Sequence, residues 1–273
     1  MSPRPPLTWL YVPGDRPDRV AKALASSADV VIVDLEDAVV ADAKPDARQA
    51  TADALERVSR PLQVRVNAPE TPWHDDDVAM VARLPGAVGL RLPKAESVDA
   101  VRDVSTSAPD RAVHLLVESA LGLEHAYDLA TATSDVASLG LGEADLRADL
   151  GVTSEDGLLW ARGRIVTAAA AAGLPPPAMA AYTDVRDLDG LAASCRRGRA
   201  MGFLGRTAIH PDQLDVIRAA FKPTEGEVER ARELLAAAEK GAATRQGAVA
   251  LADGRFVDPA VIRQAQRVVA LGD

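Results

Sequence analysis

Eight short runs of apolar and β-branched residues recur along the chain, each followed by a longer polar-apolar stretch, and this alternation limits the fold to a few architectures. The runs are Leu7–Val12, Val30–Leu35, Leu62–Val66, Val88–Leu92, Val113–Val117, Val136–Leu141, Ala178–Tyr182 and Gly205–Ile209. Many are continuous apolar segments, the pattern of parallel strands buried on both faces. Helical spacing of apolar residues fills the intervals, as in Pro45–Val58, Ser97–Val104, Glu155–Ala172 and Asp187–Met201. This order in 273 residues predicts an α/β fold, a (β/α)8 TIM barrel, which typically occupies about 250 residues. An open doubly wound sheet is the other compatible architecture. The absence of Gly-x-Gly-x-x-Gly after the first run counts against its dinucleotide-binding version. The seventh run is the weakest, because Pro175-Pro176-Pro177 precedes it and Ala and Met dominate it.

The repeating pattern ends near residue 222, so residues 1–222 read as the barrel and 223–273 as a C-terminal helical extension. Thr224 reads as an N-cap, with Glu225, Glu227 and Glu229 in the first turns of its helix, where the helix dipole favours acidic groups. Asp258-Pro259 carries the cap-then-proline signature of a last helix. The extension is too long for a frayed tail and is expected to pack on the barrel or on another subunit.

Apolar residues make up 48% of the chain, enough for a full core, and the net charge is −9. That charge argues against general nucleic-acid binding, which needs clustered Lys and Arg. No stretch approaches the roughly 20 apolar residues of a membrane span, and the N-terminus lacks a signal-peptide pattern; a soluble, cytoplasmic protein is expected. Cys195 is the only cysteine, which excludes an intramolecular disulfide and a cysteine-rich metal site. Its helix-face context reads as a packed thiol rather than a nucleophile.

In a barrel, chemistry gathers at the C-terminal ends of the strands. The unusual polar residues fall there: Asp34, Glu36 and Asp37 after the second run, Arg65 and Asn67 at the third, and Lys94 at the fourth. Glu118 ends the fifth, Glu143 and Asp145 follow the sixth, and His210 follows the eighth. Any one of these carboxylates could simply cap a helix. Several at one mouth repel one another unless cations neutralise them. Arg65 and Lys94 supply part of that neutralisation, and a divalent metal would supply the rest. With oxygen ligands only, Mg2+ or Mn2+ is favoured over zinc.

These segments resemble the citrate lyase β-subunit family, within the wider HpcH/HpaI aldolase and malyl-CoA lyase superfamily. The matching segments are YVPGDRPDRVAKA (Tyr11–Ala23), VVIVDLEDAV (Val30–Val39) with Lys44 and Arg48 downstream, VRVNAP (Val64–Pro69) and LPKAES (Leu92–Ser97). VESALGL (Val117–Leu123), LGEADLRADLG (Leu141–Gly151) and GRTAIHPDQ (Gly205–Gln213) complete the set. The resemblance implies a (β/α)8 barrel in a homo-oligomer (trimer or hexamer), with Mg2+ held by Glu118 and Asp145. It implies that Arg65 contacts substrate oxygens, with Asp34, Glu36 and Asp37 behind it orienting Arg65 and metal-bound water. Arg16, Arg19 and Lys22 match the loop that binds coenzyme A, and Lys94 is a further substrate contact. Asp258, in GRFVDPAV, matches an aspartate that reaches into a neighbouring subunit's site as a proton-transfer group; locally it reads equally as a helix cap.

The implied activity is a Mg2+-dependent carbon–carbon lyase acting on a 3-hydroxyacyl-CoA thioester such as malyl-, citramalyl- or citryl-CoA. Its products would be an acyl-CoA and a 2-oxo acid, with Arg65, Glu118 and Asp258 as the catalytic set. Alternatives are a malate-synthase-like condensing thioesterase, the β subunit of a carrier-protein-linked citrate lyase, and a non-catalytic metabolite-binding barrel. No nucleic acid and no membrane is expected among its partners.

Overall fold

The computed structural model describes residues 5–243, 249–250 and 256–272. They fall into two compact units, one spanning Pro6–Arg218 and a smaller one built on residues from Ala219 onward.

The larger unit alternates strands and helices in chain order: β1 (Thr8–Pro13), α1 (Pro17–Leu24), β2 (Val30–Asp34), α2 (Lys44–Leu55), β3 (Leu62–Arg65) and α3 (His74–Arg83). It continues with β4 (Val88–Leu92), α4 (Val98–Ser107), β5 (Val113–Val117), α5 (Ala120–Glu124), α6 (Ala126–Ala130) and β6 (Val136–Leu141). α7 (Glu143–Leu150), α8 (Leu159–Ala171), α9 (Leu188–Ala200) and β7 (Arg206–Ala208) follow, and the division at Arg218 falls within α10 (Gln213–Phe221). The seven strands form one sheet in the order β6-β5-β4-β3-β2-β1-β7, and every pairing is parallel. β2, β3 and β4 are buried along their whole length, as their continuous apolar character requires when helices cover a parallel sheet. The sheet is strongly curled. Arg91 on β4 comes within 5.8 Å of the Tyr11 ring centroid on β1, across two intervening strands.

The expected seventh strand at Ala178–Tyr182 does not form. Met179 makes one isolated parallel bridge to Arg206, supported by Leu204 N donating to Pro177 O and Thr207 N to Met179 O. Three consecutive prolines cannot donate to a ladder, and the Ala-rich residues that follow have weak strand preference. The segment therefore lies beside β7, and no pairing joins it to β6 among the described residues. Cys195 is buried on α9, and burial raises its thiol above the ordinary range.

In the smaller unit, α11 (Glu225–Ala243) packs against α12 (Pro259–Gly272). A two-residue antiparallel ribbon, β8 (Val249–Ala250) with β9 (Phe256–Val257), lies between them in sequence. Thr224 and Glu227 form a reciprocal capping box: Thr224 Oγ1 accepts from Glu227 N (3.2 Å) and Glu227 Oε2 from Thr224 N (2.7 Å). No described helix is long and apolar enough to cross a membrane.

Candidate active site

The C-terminal ends of β2 and β3 build a closed ionic cluster. Asp34, the last residue of β2, is buried and accepts from the backbone N–H groups of Glu36 (3.0 Å) and Ala38 (3.2 Å). Arg65, the last residue of β3, grips the same carboxylate in two-pronged fashion, Nε to Oδ1 at 2.7 Å and Nη2 to Oδ2 at 2.6 Å. Such a pair fixes geometry as well as charge. The third guanidinium nitrogen, Nη1, lies 2.9 Å from Glu36 Oε2 and 3.3 Å from Asp37 Oδ2. The guanidinium carbon sits 5.1 Å from the Tyr11 ring centroid. Burial alone would lower the Arg65 pKa, but the hydrogen bonds and charge of Asp34 outweigh it and hold the group above its ordinary value.

Glu36 is buried, and neither of its carboxylate oxygens receives a directed hydrogen bond. Burial pushes its carboxyl up to about 8; Arg65 opposes the shift, and the charges of Glu118 and Asp37 reinforce it. Its other oxygen stands 3.5 Å from Lys94 Nζ.

The ends of β5 and β6 are arranged differently. Glu118 directly follows β5 and is buried; its Oε2 accepts from the backbone N–H of Lys94 at 2.9 Å. Lys94 adopts a left-handed backbone (φ 49°), uncommon away from glycine and worth a functional reading. A Cβ at Gly142 would lie 2.2 Å from Glu118 Oε1, so only glycine fits against this carboxylate. Burial pushes Glu118 up to about 7, opposed by Arg65 and the Lys94 N–H and reinforced by Asp145 and Asp37. Asp145 lies in the first turn of α7 and is exposed.

Glu118, Gly142 and Asp145 line one cavity of about 330 Å³ together with Tyr11 and Arg91. A second cavity, about 450 Å³, adjoins Tyr11 on the side of Arg65, Asp34, Asp37 and Arg19. Among the described residues, no Lys, Arg or His side chain pairs with Glu118 or Asp145 within ion-pair distance. Two carboxylates facing one cavity without a cationic partner suit a hard divalent cation, which takes one or two protein carboxylates and fills its remaining positions from water and substrate. No described group of three or more His, Cys, Asp or Glu is placed to enclose a metal. Any metal here keeps open positions.

A model of the HpcH/HpaI aldolase/citrate lyase family matches residues 7–211. The chain belongs to this family. It is 36% identical over 267 residues to a (3S)-malyl-CoA thioesterase from Cereibacter sphaeroides, covering 96% of this chain and 92% of that one. It is 32% identical over 295 residues to an L-malyl-CoA/beta-methylmalyl-CoA lyase from Rhodobacter capsulatus, covering 95% and 92%. The crystal structure of the protein CitE from Mycobacterium tuberculosis, in complex with magnesium, acetoacetate and coenzyme A, superposes with a TM-score of 0.84 at 35% identity, covering 98% of both chains.

Within this HpcH/HpaI-type chain, Asp34, Glu36, Asp37, Arg65 and Lys94 form one contact network, and Glu118 joins it through the Lys94 backbone. Arg19 lines the second cavity, whereas Arg16 pairs with Asp18 at 3.3 Å and Lys22 is exposed on α1. Glu143 is held by Arg162 through two hydrogen bonds of 2.7 and 2.6 Å. His210 is exposed, 3.5 Å from Asp212. Asp258 caps α12, its Oδ1 accepting from Ala260 N and Val261 N at 2.8 and 2.9 Å. Tyr11, Lys44 and Gly142 stand in the sequence only as members of the matching segments, with no role attached to them. Tyr11 carried a signal, since it alternates with Trp9 along a strand in a chain with three tyrosines.

Proposed function

We propose that the protein is a Mg2+-dependent carbon–carbon lyase acting on a 3-hydroxyacyl-CoA thioester that bears a carboxylate, releasing an acyl-CoA and a 2-oxo acid. The observation that carries this reading is the pair of carboxylates without a side-chain counterion, Glu118 and Asp145, lining one cavity, while the anchored Arg65 lines a second one that shares Tyr11. The relatives' printed activities and the magnesium, acetoacetate and coenzyme A in the CitE complex support it. The rim is read as that of a (β/α)8 barrel in which the segment around Met179 takes the eighth place beside β7.

In this reading Glu118 and Asp145 hold Mg2+ (or Mn2+), which when bound supplies Lewis acidity toward the substrate's hydroxyl and carbonyl oxygens. Arg65 donates to the oxygen on which negative charge develops, and it needs no reorganisation because Asp34 already fixes it. Asp37 accepts from its remaining nitrogen, and Glu36 Oε2 lies 2.9 Å from the same atom. As the bond between the two carbon units breaks, the hydroxyl gives its proton to solvent water and becomes the carbonyl of the 2-oxo acid. The electron pair passes to the thioester fragment as an enolate, which takes a proton on carbon. Asp258 of a neighbouring subunit would deliver that proton, leaving its cap of α12 to do so. Arg19, with Arg16 and Lys22 on the same segment, would meet the coenzyme A phosphates, and Lys94 the acyl part. This reading takes the protein as a homo-oligomer, a trimer or hexamer.

A second reading, hydrolysis of the thioester, is favoured by the similarity to the malyl-CoA thioesterase. A coupled assay with Mg2+ against malyl-, citramalyl- and citryl-CoA separates the two. Release of a 2-oxo acid without free thiol supports the lyase; free thiol without 2-oxo acid supports the hydrolase. Neither product from any of the three would sink both.

A further inference from the structure

Lys44, the first residue of α2, is buried. Its ammonium donates to three acceptors: Leu35 O at 2.9 Å, Glu36 O at 2.7 Å and Asn67 Oδ1 at 2.6 Å. The Trp73 ring centroid lies 5.2 Å from the nitrogen. Among the described residues no carboxylate lies within ion-pair distance of this ammonium. Asn67 is itself fixed, its N and Nδ2 both donating to Asp77 Oδ2 at 3.0 and 2.6 Å, and Asp77 Oδ1 accepts from Arg48 Nε at 2.7 Å.

Burying an ammonium is expensive, and here three directed hydrogen bonds and the nearby charges of Asp34, Glu36, Asp77 and Asp37 offset that cost. An apolar side chain in its place would leave all three acceptors without this donor. What an ammonium does that an apolar group cannot is to draw several acceptors to one point. Two of these acceptors belong to the turn after β2 that carries Glu36 and Asp37. The third follows β3 by two residues and therefore sits next to the strand end that carries Arg65. The same carbonyl of Glu36 also receives Val39 N at 3.1 Å, closing that turn. Lys44 thus spans the two segments whose spacing decides how Glu36 and Asp37 meet Arg65.

We propose that Lys44 is a positioning residue for the reaction, clamping the turn after β2 to the segment after β3 and so holding Glu36 in register with Arg65 and Lys94. Lys44 does not touch substrate in this account. It acts through Glu36, and its charge adds a positive field behind the Asp34–Asp37 group.

The inference rests on the lyase reading for its kinetic arm only. With the full-length protein and Mg2+, Lys44→Met is expected to lower kcat about 10- to 100-fold, the range seen when outer partners of a metal-site residue are removed. In a Glu36→Gln background the same substitution should add less than about twofold, because contacts in one network are non-additive. Full additivity of the two substitutions, or a kcat unchanged in Lys44→Met, overturns the proposal. Should Lys44→Met not fold, Asn67→Ala opens the same clamp from the β3 side and is read in the same cycle. Hydrogen exchange over residues 34–39 needs no turnover: acceleration in the variant supports the clamp, and an unchanged rate contradicts it. A wild-type protein inactive on every thioester would sink the lyase reading, while the exchange result would still decide the role of Lys44.

Discussion

The two halves of the rim differ in how their charges are satisfied. At β2 and β3, three carboxylates meet one guanidinium, with Asp34 taking four hydrogen bonds and Lys94 standing 3.5 Å from Glu36. At β5 and β6, Glu118 receives one backbone N–H and Asp145 has no side-chain partner among the described residues. The first half is anchored by the two-pronged Arg65–Asp34 pair, with Glu36 beside it buried and without a directed hydrogen bond. The second is an acidic pair facing a cavity, with burial pushing Glu118 up to about 7. In the proposed reading, a preorganised guanidinium and an acidic pair without a side-chain counterion divide the labour of a metal-assisted lyase: a fixed donor for the developing oxyanion, and carboxylates suited to hold the ion.

The largest effect should come from breaking the anchored half. Arg65→Met leaves buried Asp34 without its partner, a change that typically destabilises by about 3–5 kcal/mol. It also removes the oxyanion donor, for which turnover losses of about 100- to 1000-fold are typical. Denaturant unfolding and steady-state kinetics on the same preparation would show both. Loss of turnover with unchanged stability would mean that the Arg65–Asp34 pair is weaker than its geometry implies.

A smaller effect sharpens the comparison through pH. Glu36 is raised in the fold to about 8 from an ordinary value of 4.5. A raised acid stabilises the fold fully below its unfolded pKa and loses that contribution as pH rises through the folded one. The wild-type protein should therefore lose stability relative to Glu36→Gln between about pH 4.5 and 8. Thermal midpoints at pH 5 and pH 8 for both proteins give the difference; parallel pH profiles would contradict a buried, destabilised Glu36.

Much of this architecture is legible in the chain. Continuous apolar runs such as Val30–Val33 mark strands covered on both faces, and the carboxylates and cations that end those runs identify the rim. Asp258 and Thr224 announce their caps because capping is a local, side-chain-to-backbone matter. The misreading at Ala178–Tyr182 has the opposite origin: the repeating order invited an eighth strand, while the local prolines and alanines could not make one. The roles of Lys44 and Gly142 are illegible for a further reason, although both residues lie within the matching segments. Lys44 meets Asn67 across 23 positions and Gly142 meets Glu118 across a strand pairing, and neither proximity leaves a periodic trace in the sequence. The Glu118–Asp145 pairing itself came from family resemblance. The fold adds their shared cavity and the lack of a side-chain counterion.

The central claim is that the β5–β6 half of the rim binds a divalent cation that the β2–β3 half does not. Isothermal titration of Mg2+ into the wild-type protein, Glu118→Ala and Arg65→Met tests it most directly. One Mg2+ per chain in the wild-type protein and in Arg65→Met, with binding lost in Glu118→Ala, is the expected result. Unchanged binding in Glu118→Ala, or none in the wild-type protein, would contradict the account.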